Sequence, residues 1–458
     1  MLKKVSEYIR RNALLHTGQR YIIALSGGAD SMALLRAMAT LGYDVEAAHC
    51  NFHLRGDESV RDEEFVKSQC NALNVNLHLA HFDTLTYAQT HHISIEMAAR
   101  ELRYHYFAQL RRDIEAEAVC VAHHRDDSIE TLLLNLLRGT GIHGLTGIKS
   151  RCASQYDKTC TIVRPLLCVS RKEIEQWLDS IGQTYVTDST NLQDDVMRNK
   201  IRLNLLPQLC QIQPSALQNL QVTMELMNET EHIYNAYTHE FLEKAVKHSE
   251  LQSDAPTAYI EIETLKTSAS PLSVLFEWLT SYHFNPATIR QINEGLSAQT
   301  GHYWQSETHE LYLDRGRLLL TQKQAVFTPL RMPETGLYTA QDGLRVRVSK
   351  KTGAVIIKEP NVACLDAASI RFPLTLRMVQ TGDRFTPFGM KGSKLVSDFL
   401  TDMKMPLPEK KRQLLLTDAN GMILWLAGLR PSALHSISTS TTETLLVEII
   451  SKKAECLK

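Results

Sequence analysis

An apolar run, Tyr21-Ile-Ile-Ala-Leu25, leads straight into Ser26-Gly27-Gly28-Ala29-Asp30-Ser31, after which Met32, Ala33, Leu34, Leu35 and Met38 continue at helical spacing. A buried strand, a tight Gly-Gly turn and a helix start therefore meet within about fifteen residues. This juxtaposition is the opening of a β-α-β unit, and it constrains the fold more than any other feature of the chain. The turn leaves backbone N–H groups at the positive end of the helix dipole, which makes an anion site. Gly27 and Gly28 allow close backbone approach and positive φ. Ser26 and Ser31 add hydroxyls, and Asp30 adds the carboxylate that a Mg²⁺–phosphate complex requires. A Walker loop would need a Gly-Lys-Ser/Thr ending. No lysine stands here, so the loop suits pyrophosphate better than γ-phosphoryl transfer.

The first 200 residues repeat this alternation. Strands are predicted at Tyr21–Leu25, Val45–His49, Val75–Ala80 and Ala118–Ala122, and helices at about 31–41, 58–73, 94–112 and 127–138. The expected class is α/β, a doubly wound parallel sheet with its ligand loops at the strand carboxyl ends. From Pro214 the pattern changes. Leu217, Leu220, Met224, Met227, Tyr234, Tyr237 and Phe241 form the stripe of a long amphipathic helix, read as core packing. A hairpin is expected where Leu311-Tyr-Leu turns through Asp314-Arg-Gly316 into Leu318-Leu-Leu320, and β-rich runs follow Pro333. Three domains are expected: a catalytic domain at 1–212, a mostly helical middle domain at 213–335 and an α+β C-terminal domain at 336–458.

The 458 residues carry 22% charged side chains, 43% hydrophobic ones and a net charge of −1. A polyanion partner must then be met by locally segregated basic groups. Nine cysteines contain no C-x-x-C pair, which points to reduced thiols in the cytoplasm and away from a zinc site. No apolar run approaches the roughly 20 residues of a membrane span.

Further polar groups gather at strand ends. His49-Cys-Asn51-Phe-His53-Leu-Arg55-Gly56 ends the second strand. Arg100 and Arg103 lie one helical turn apart and suit phosphate or carboxylate recognition, a solvated basic face being the lesser alternative. His123-His124-Arg125-Asp126-Asp127-Ser128-Ile129-Glu130-Thr131 follows the Ala118–Ala122 strand. Its acids would cap a helix, bind Mg²⁺ or recognise an amine. Gly139-Thr-Gly141-Ile-His-Gly144 has the form of a dinucleotide fingerprint but follows a helix, so it is read as a loop. Asp188-Ser-Thr-Asn191 precedes Arg198 and Arg202, which share a helix face and could meet phosphates or hold the domain together. Between Arg377 and Arg412 eight Lys/Arg stand against four Asp/Glu, with Phe385 and Phe388 interleaved. That surplus suits a nucleic-acid surface.

Taken together, Ser26–Ser31, His49–Gly56, Ala99-Arg100 with Arg103-Tyr104, His123–Thr131, Arg164-Pro-Leu-Leu167, Asp188–Asn191, Arg198-Asn-x-x-Arg202 and Gly382-Asp-Arg-Phe385 to Leu400 resemble the tRNA(Ile)-lysidine synthetase family of PP-loop ATP pyrophosphatases. The resemblance implies ATP-dependent ligation of lysine to C2 of the wobble cytidine of a CAU-anticodon tRNA(Ile), through an adenylated tRNA. It implies Asp30, Arg103, Asp127 and Glu130 as catalytic groups. Ser26, Gly27, Gly28, Ala29, Asp30, Ser31, His49, Arg100 and His123 would bind ATP, and Asp30 and Asp127 would bind Mg²⁺. Arg198, Arg202, Arg384, Lys391 and Lys394 would meet the tRNA. Glu130 is expected to pair with a lysine ammonium. Another adenylating enzyme such as a tRNA thiolase, or a non-catalytic nucleotide-binding regulator, are the alternatives. Oligomeric state, a homodimer included, is left open by the sequence.

Overall fold

The computed structural model describes residues 1–186, 197–249, 257–297, 301–390 and 392–450. The Asp188–Asn191 motif and Lys391 lie outside the described residues. The chain divides into two compact units, Met1–Asn235 and Ala236–Lys458.

The first unit is built on one sheet. Its elements run α1 (Leu2–Arg11), β1 (Arg20–Ala24), α2 (Ala29–Thr40), β2 (Asp44–Asn51), α3 (Asp57–Ala72), β3 (Leu77–His81), α4 (Thr84–His91), α5 (Ile95–Asp113), β4 (Ala118–Cys120), α6 (Arg125–Arg138), α7 (Ile142–Leu145), β5 (Arg151–Ala153), β6 (Thr161–Val163) and α8 (Arg171–Ser180). The strand order is β3-β2-β1-β4-β6-β5, with β5 the antiparallel edge. Side chains alternate across β1: Tyr21 and Ile23 join the core beneath α1, α2 and α8, whereas Ile22 joins Tyr104, Phe107 and Ala108 of α5. Both faces are therefore covered, which is why these strands read as near-continuous apolar runs.

β1 pairs in parallel with both β2 and β4. The chain moves to one side of β1 first and then to the other, so the crevice opens beyond the carboxyl ends of β1 and β4. The Gly-Gly turn follows β1, and the His123-His124 segment follows β4. One topological fact brings these two motifs together.

After α8 come α9 (Met197–Lys200), a wide π-type turn over Ile201–Leu205, α10 (Leu206–Ile212) and α11 (Ala216–Ala245). Met224 and Leu220 of α11 pack with Ile129 and Leu132 of α6 and Ile201, so the apolar stripe there is core, as its spacing indicates.

In the second unit the Leu311–Leu320 hairpin forms in the expected register, with Leu311 opposite Leu320 and Asp314 opposite Arg317. It is the centre of a five-stranded antiparallel sheet with strands Lys247–Ser249, Thr257–Glu261 and Tyr303–Gln305, so sheet content here exceeds what the helical stripe suggests. Helices Pro271–Thr280 and Pro286–Glu294 supply Leu275, Trp278, Leu279 and Ile289 to its core. The remainder forms a five-stranded and a four-stranded sheet around Leu376, Leu416, Trp425 and Val447.

Candidate active site

Gly27 has φ +90° and Gly28 caps α2 with φ −73°, so only the first glycine needs the left-handed region. A Cβ on Gly27 would also lie 3.2 Å from Val66 Cγ2, whereas one on Gly28 would meet nothing nearer than 3.6 Å. Nothing among the described residues crowds Gly28, and its bareness keeps the helix mouth open. Ser31 is buried, and its Oγ donates to Gly28 O at 3.0 Å while accepting from Gly27 N–H at 3.1 Å and Ser26 N–H at 3.2 Å. The expected ligand role of the Ser31 hydroxyl is corrected here: every lone pair and proton of that group shapes the loop. The anion-binding donors left are the N–H groups of the first turn of α2, which have no intrahelical acceptor.

The two oxygens of Asp30 differ. Oδ2 accepts from Arg171 Nη1 at 2.5 Å, while Oδ1 is buried without a hydrogen-bond donor among the described residues and lies 3.8 Å from His124 Nε2. Burial pushes the Asp30 carboxyl above its ordinary pKa, partly opposed by His124 and Arg171. A buried carboxylate oxygen lacking a donor fits a divalent cation. No group of three or more His, Cys, Asp or Glu forms a preassembled metal cage among the described residues. A Mg²⁺ that arrives with phosphates needs none.

His49 is buried, with Nδ1 2.8 Å from Leu25 O, and burial lowers its pKa. The carbonyl can only accept, so Nδ1 carries the proton. His123 is held down to about 4 by burial, with Arg164, Arg198 and Arg100 adding to the effect. Arg164 Nε donates to its Nδ1 at 3.4 Å. Both imidazoles are neutral at pH 7 and offer polar contact without charge. His124 is the N-cap of α6 and forms a capping box with Asp127, whose Oδ2 accepts from His124 N–H at 2.9 Å.

A second charge cluster adjoins these histidines, and its Asp127 and Arg202 reach the same cavity. Glu130 is 1% exposed, and its carboxylate takes Arg198 Nε at 2.7 Å and Arg202 Nε at 2.6 Å. Asp127 Oδ1 takes Arg198 Nη2 at 3.0 Å and Arg202 Nη2 at 3.3 Å. Two carboxylates and two guanidiniums thus neutralise one another. Three expectations change. Arg198 and Arg202 are bound to protein carboxylates instead of presenting themselves to tRNA phosphates. Glu130 has no oxygen left for a lysine ammonium. Asp127, with both oxygens engaged, is not placed as a metal ligand, and its pKa is lowered against burial by His124, Arg198 and His123.

Ser26, Asp30, His49, Arg103, His123 and Asp127 line one cavity of about 610 Å³. Arg103 lies 5.1 Å from the Phe52 ring centroid and has no carboxylate partner among the described residues. Arg100, one turn away, is exposed over Tyr104 and does not line the cavity. Arg171 lines it and is the group that sequence reasoning missed. Its signal was the capping box Ser170-x-x-Glu173, in which Ser170 Oγ accepts from Glu173 N–H at 3.2 Å and Glu173 returns to Ser170 N–H at 2.9 Å.

In the second unit Arg384 is exposed and its Nε meets Ser393 Oγ at 3.4 Å, whereas Lys394 is paired with Asp402. Phe385 is core; Phe388 is 54% exposed. Part of the basic surplus is internal: Lys411 Nζ sits 3.3 Å above the Tyr303 ring and Arg412 Nη2 reaches Gln322 O at 3.1 Å.

Comparison with known proteins matches one family model in the first unit and two in the second. A profile described as a PP-loop domain matches residues 2–209, one described as a TilS substrate binding domain matches 253–323, and one described as a TilS substrate C-terminal domain matches 374–447. The chain is 41% identical over 448 residues to the tRNA(Ile)-lysidine synthase of Bacteroides thetaiotaomicron, covering 98% of this chain and 99% of that protein. It is 41% identical over 455 residues to that of Parabacteroides distasonis, covering 98% and 100%. The Bacillus subtilis protein of the same name is 28% identical over 475 residues, covering 98% and 97%.

Proposed function

This chain belongs to the tRNA(Ile)-lysidine synthase family, and on that premise we propose how its cavity does the chemistry. It is an ATP-dependent carbon–nitrogen ligase that forms lysidine in tRNA. The observation that carries the residue-level reading is the cavity itself. It joins an open helix N-terminus, a carboxylate oxygen without a donor and an arginine without a carboxylate, both among the described residues.

In the first step O2 of the wobble cytidine in the CAU anticodon attacks the α-phosphorus of ATP. An O–P bond forms, the α–β bridging bond breaks, and pyrophosphate leaves. The first-turn N–H groups after Gly28 hold the departing anion. Asp30 Oδ1 would hold Mg²⁺, which when bound neutralises charge developing on the phosphates. His49 and His123 contact the nucleotide as neutral polar groups, and Arg100 serves only at the rim. Arg103 holds the phosphate of the adenylated base through its free guanidinium edge. In the second step a neutral lysine amine attacks C2, the C2–O bond breaks, and AMP departs with the proton that the amine gives up. Asp127, whose charge is answered by Arg198 and Arg202, shapes the cavity wall and, with its lowered pKa, is a poor proton acceptor.

A thiolase reading is disfavoured by the cavity's cysteine: burial pushes the Cys50 thiol up to about 12, so it supplies no thiolate near neutrality. Arg384 and the exposed Phe388 are assigned to tRNA contact, Lys394 only if it leaves Asp402. No helix among the described residues is long and apolar enough to cross a membrane, and the eight described cysteines are free thiols. The test is pyrophosphate release measured across a panel of tRNAs and amino acids. Release should require tRNA(Ile), and AMP release should then require lysine. Pyrophosphate release with lysine and no tRNA would overturn this order.

A further inference from the structure

Arg171 stands outside every role assigned above, yet its side chain and backbone are held by three carboxylates. Its backbone N–H donates to Asp126 Oδ2 at 2.9 Å, its Nε to Glu175 Oε1 at 2.7 Å and its Nη1 to Asp30 Oδ2 at 2.5 Å. The side chain is still 39% exposed, and it faces the same cavity as the Gly-Gly turn. It is not needed as glue between α2 and α8. Met32, Leu35, Ile174 and Leu178 of those helices already share one buried core.

Two oppositely charged groups placed at an anion site cannot both keep their apo partners once phosphates enter. A guanidinium that neutralises Asp30 also withholds its donors from phosphate, while Asp30 repels phosphate until a cation covers it. Resting on the nucleotide reading above, we propose that Arg171 is the cavity's resident counter-cation. It pairs with Asp30 in the free enzyme and turns to the β- and γ-phosphates of ATP, the pyrophosphate that leaves, when Asp30 is taken over by a divalent cation. Its planar fork of donors matches two phosphate oxygens at once, which a lysine would not reproduce.

The test is calorimetric binding of inorganic pyrophosphate to the full chain in EDTA, with thermal unfolding of each variant alongside. Arg171→Gln should weaken pyrophosphate binding at least tenfold, Arg171→Lys should recover only part of that loss, and folding should persist in both. Asp30→Asn should tighten Mg²⁺-free binding several-fold, because it frees the guanidinium and removes a like charge. Adding Arg171→Gln to that background should abolish the gain. If Arg171→Gln leaves pyrophosphate affinity unchanged in both backgrounds while wild type binds ATP·Mg²⁺, Arg171 is an ordinary surface ion-pair partner and the proposal is overturned alone. If wild type binds neither ATP nor pyrophosphate, the nucleotide reading beneath it is overturned as well.

Discussion

The Asp30 end and the Glu130 end of the first unit use the same side-chain types to opposite effect. At Glu130 every charge is answered: Arg198 and Arg202 occupy both carboxylate oxygens and also reach Asp127. At Asp30 one oxygen is answered and the other is buried without a donor among the described residues, where Arg103 across the cavity also has no carboxylate. The saturated cluster holds α6 against α9 and the π-type turn; the unsaturated one is where a ligand's charge can be accepted. Residue type and clustering are alike in both places. Pairing is what separates structure from chemistry.

The sharpest way to break this contrast is at Glu130. Glu130→Gln leaves two guanidiniums facing one carboxylate, and stability should fall by ~2–4 kcal/mol, less than for a wholly buried pair because both arginines reach solvent. Chemical denaturation checks it, and adenylation and lysine transfer should decline together. Loss of lysine transfer alone, with stability intact, would return Glu130 to substrate recognition. At the other end, Asp30→Asn should slow adenylation by about a hundredfold or more without loss of stability. A variant that is inactive because it unfolds would erase the distinction.

The neutral histidines between the two clusters give a pH signature. His123 titrates at about 4 in the folded state against an ordinary value of 6.5, so between those values the unfolded chain binds more protons. Stability should therefore fall as pH drops from about 6.5 to 4 and lose no more through this group below that, a contribution of order 3 kcal/mol. Comparing wild type with His123→Gln by thermal unfolding across that range isolates the effect; parallel curves would mean that His123 is not buried as a neutral group. The smallest effect is expected at the second unit's surface. Arg384→Ala should reduce the log–log salt slope of tRNA binding by about one, whereas Lys411→Ala, whose ammonium lies over Tyr303, should alter stability and leave that slope unchanged.

Much of the catalytic fold was legible because its signals are local. Tyr21-Ile-Ile-Ala-Leu25 is a parallel-strand run, Gly27 is the one turn glycine that needs positive φ, and Ala118–Cys120 sits where the strand was expected. What was not legible depends on distance along the chain. Arg198 and Arg202 meet a carboxylate about seventy residues earlier, and Arg171 meets Asp30 141 positions away. No spacing rule reveals such pairs. Ser31 misled for a different reason: a hydroxyl beside a phosphate loop reads as a ligand donor until its three hydrogen bonds to Ser26, Gly27 and Gly28 are seen. The strands Arg151–Ala153 and Thr161–Val163 are too short for period to show.

On this chemistry the cavity activates the tRNA and not the amino acid. The most direct test is a single turnover with ATP labelled at the α-phosphate, tRNA(Ile) present and lysine withheld. Label should appear on the tRNA as pyrophosphate is released, and should leave as free AMP when lysine is added. Label that stays in ATP until lysine arrives, or that passes to lysine instead of tRNA, would contradict the account.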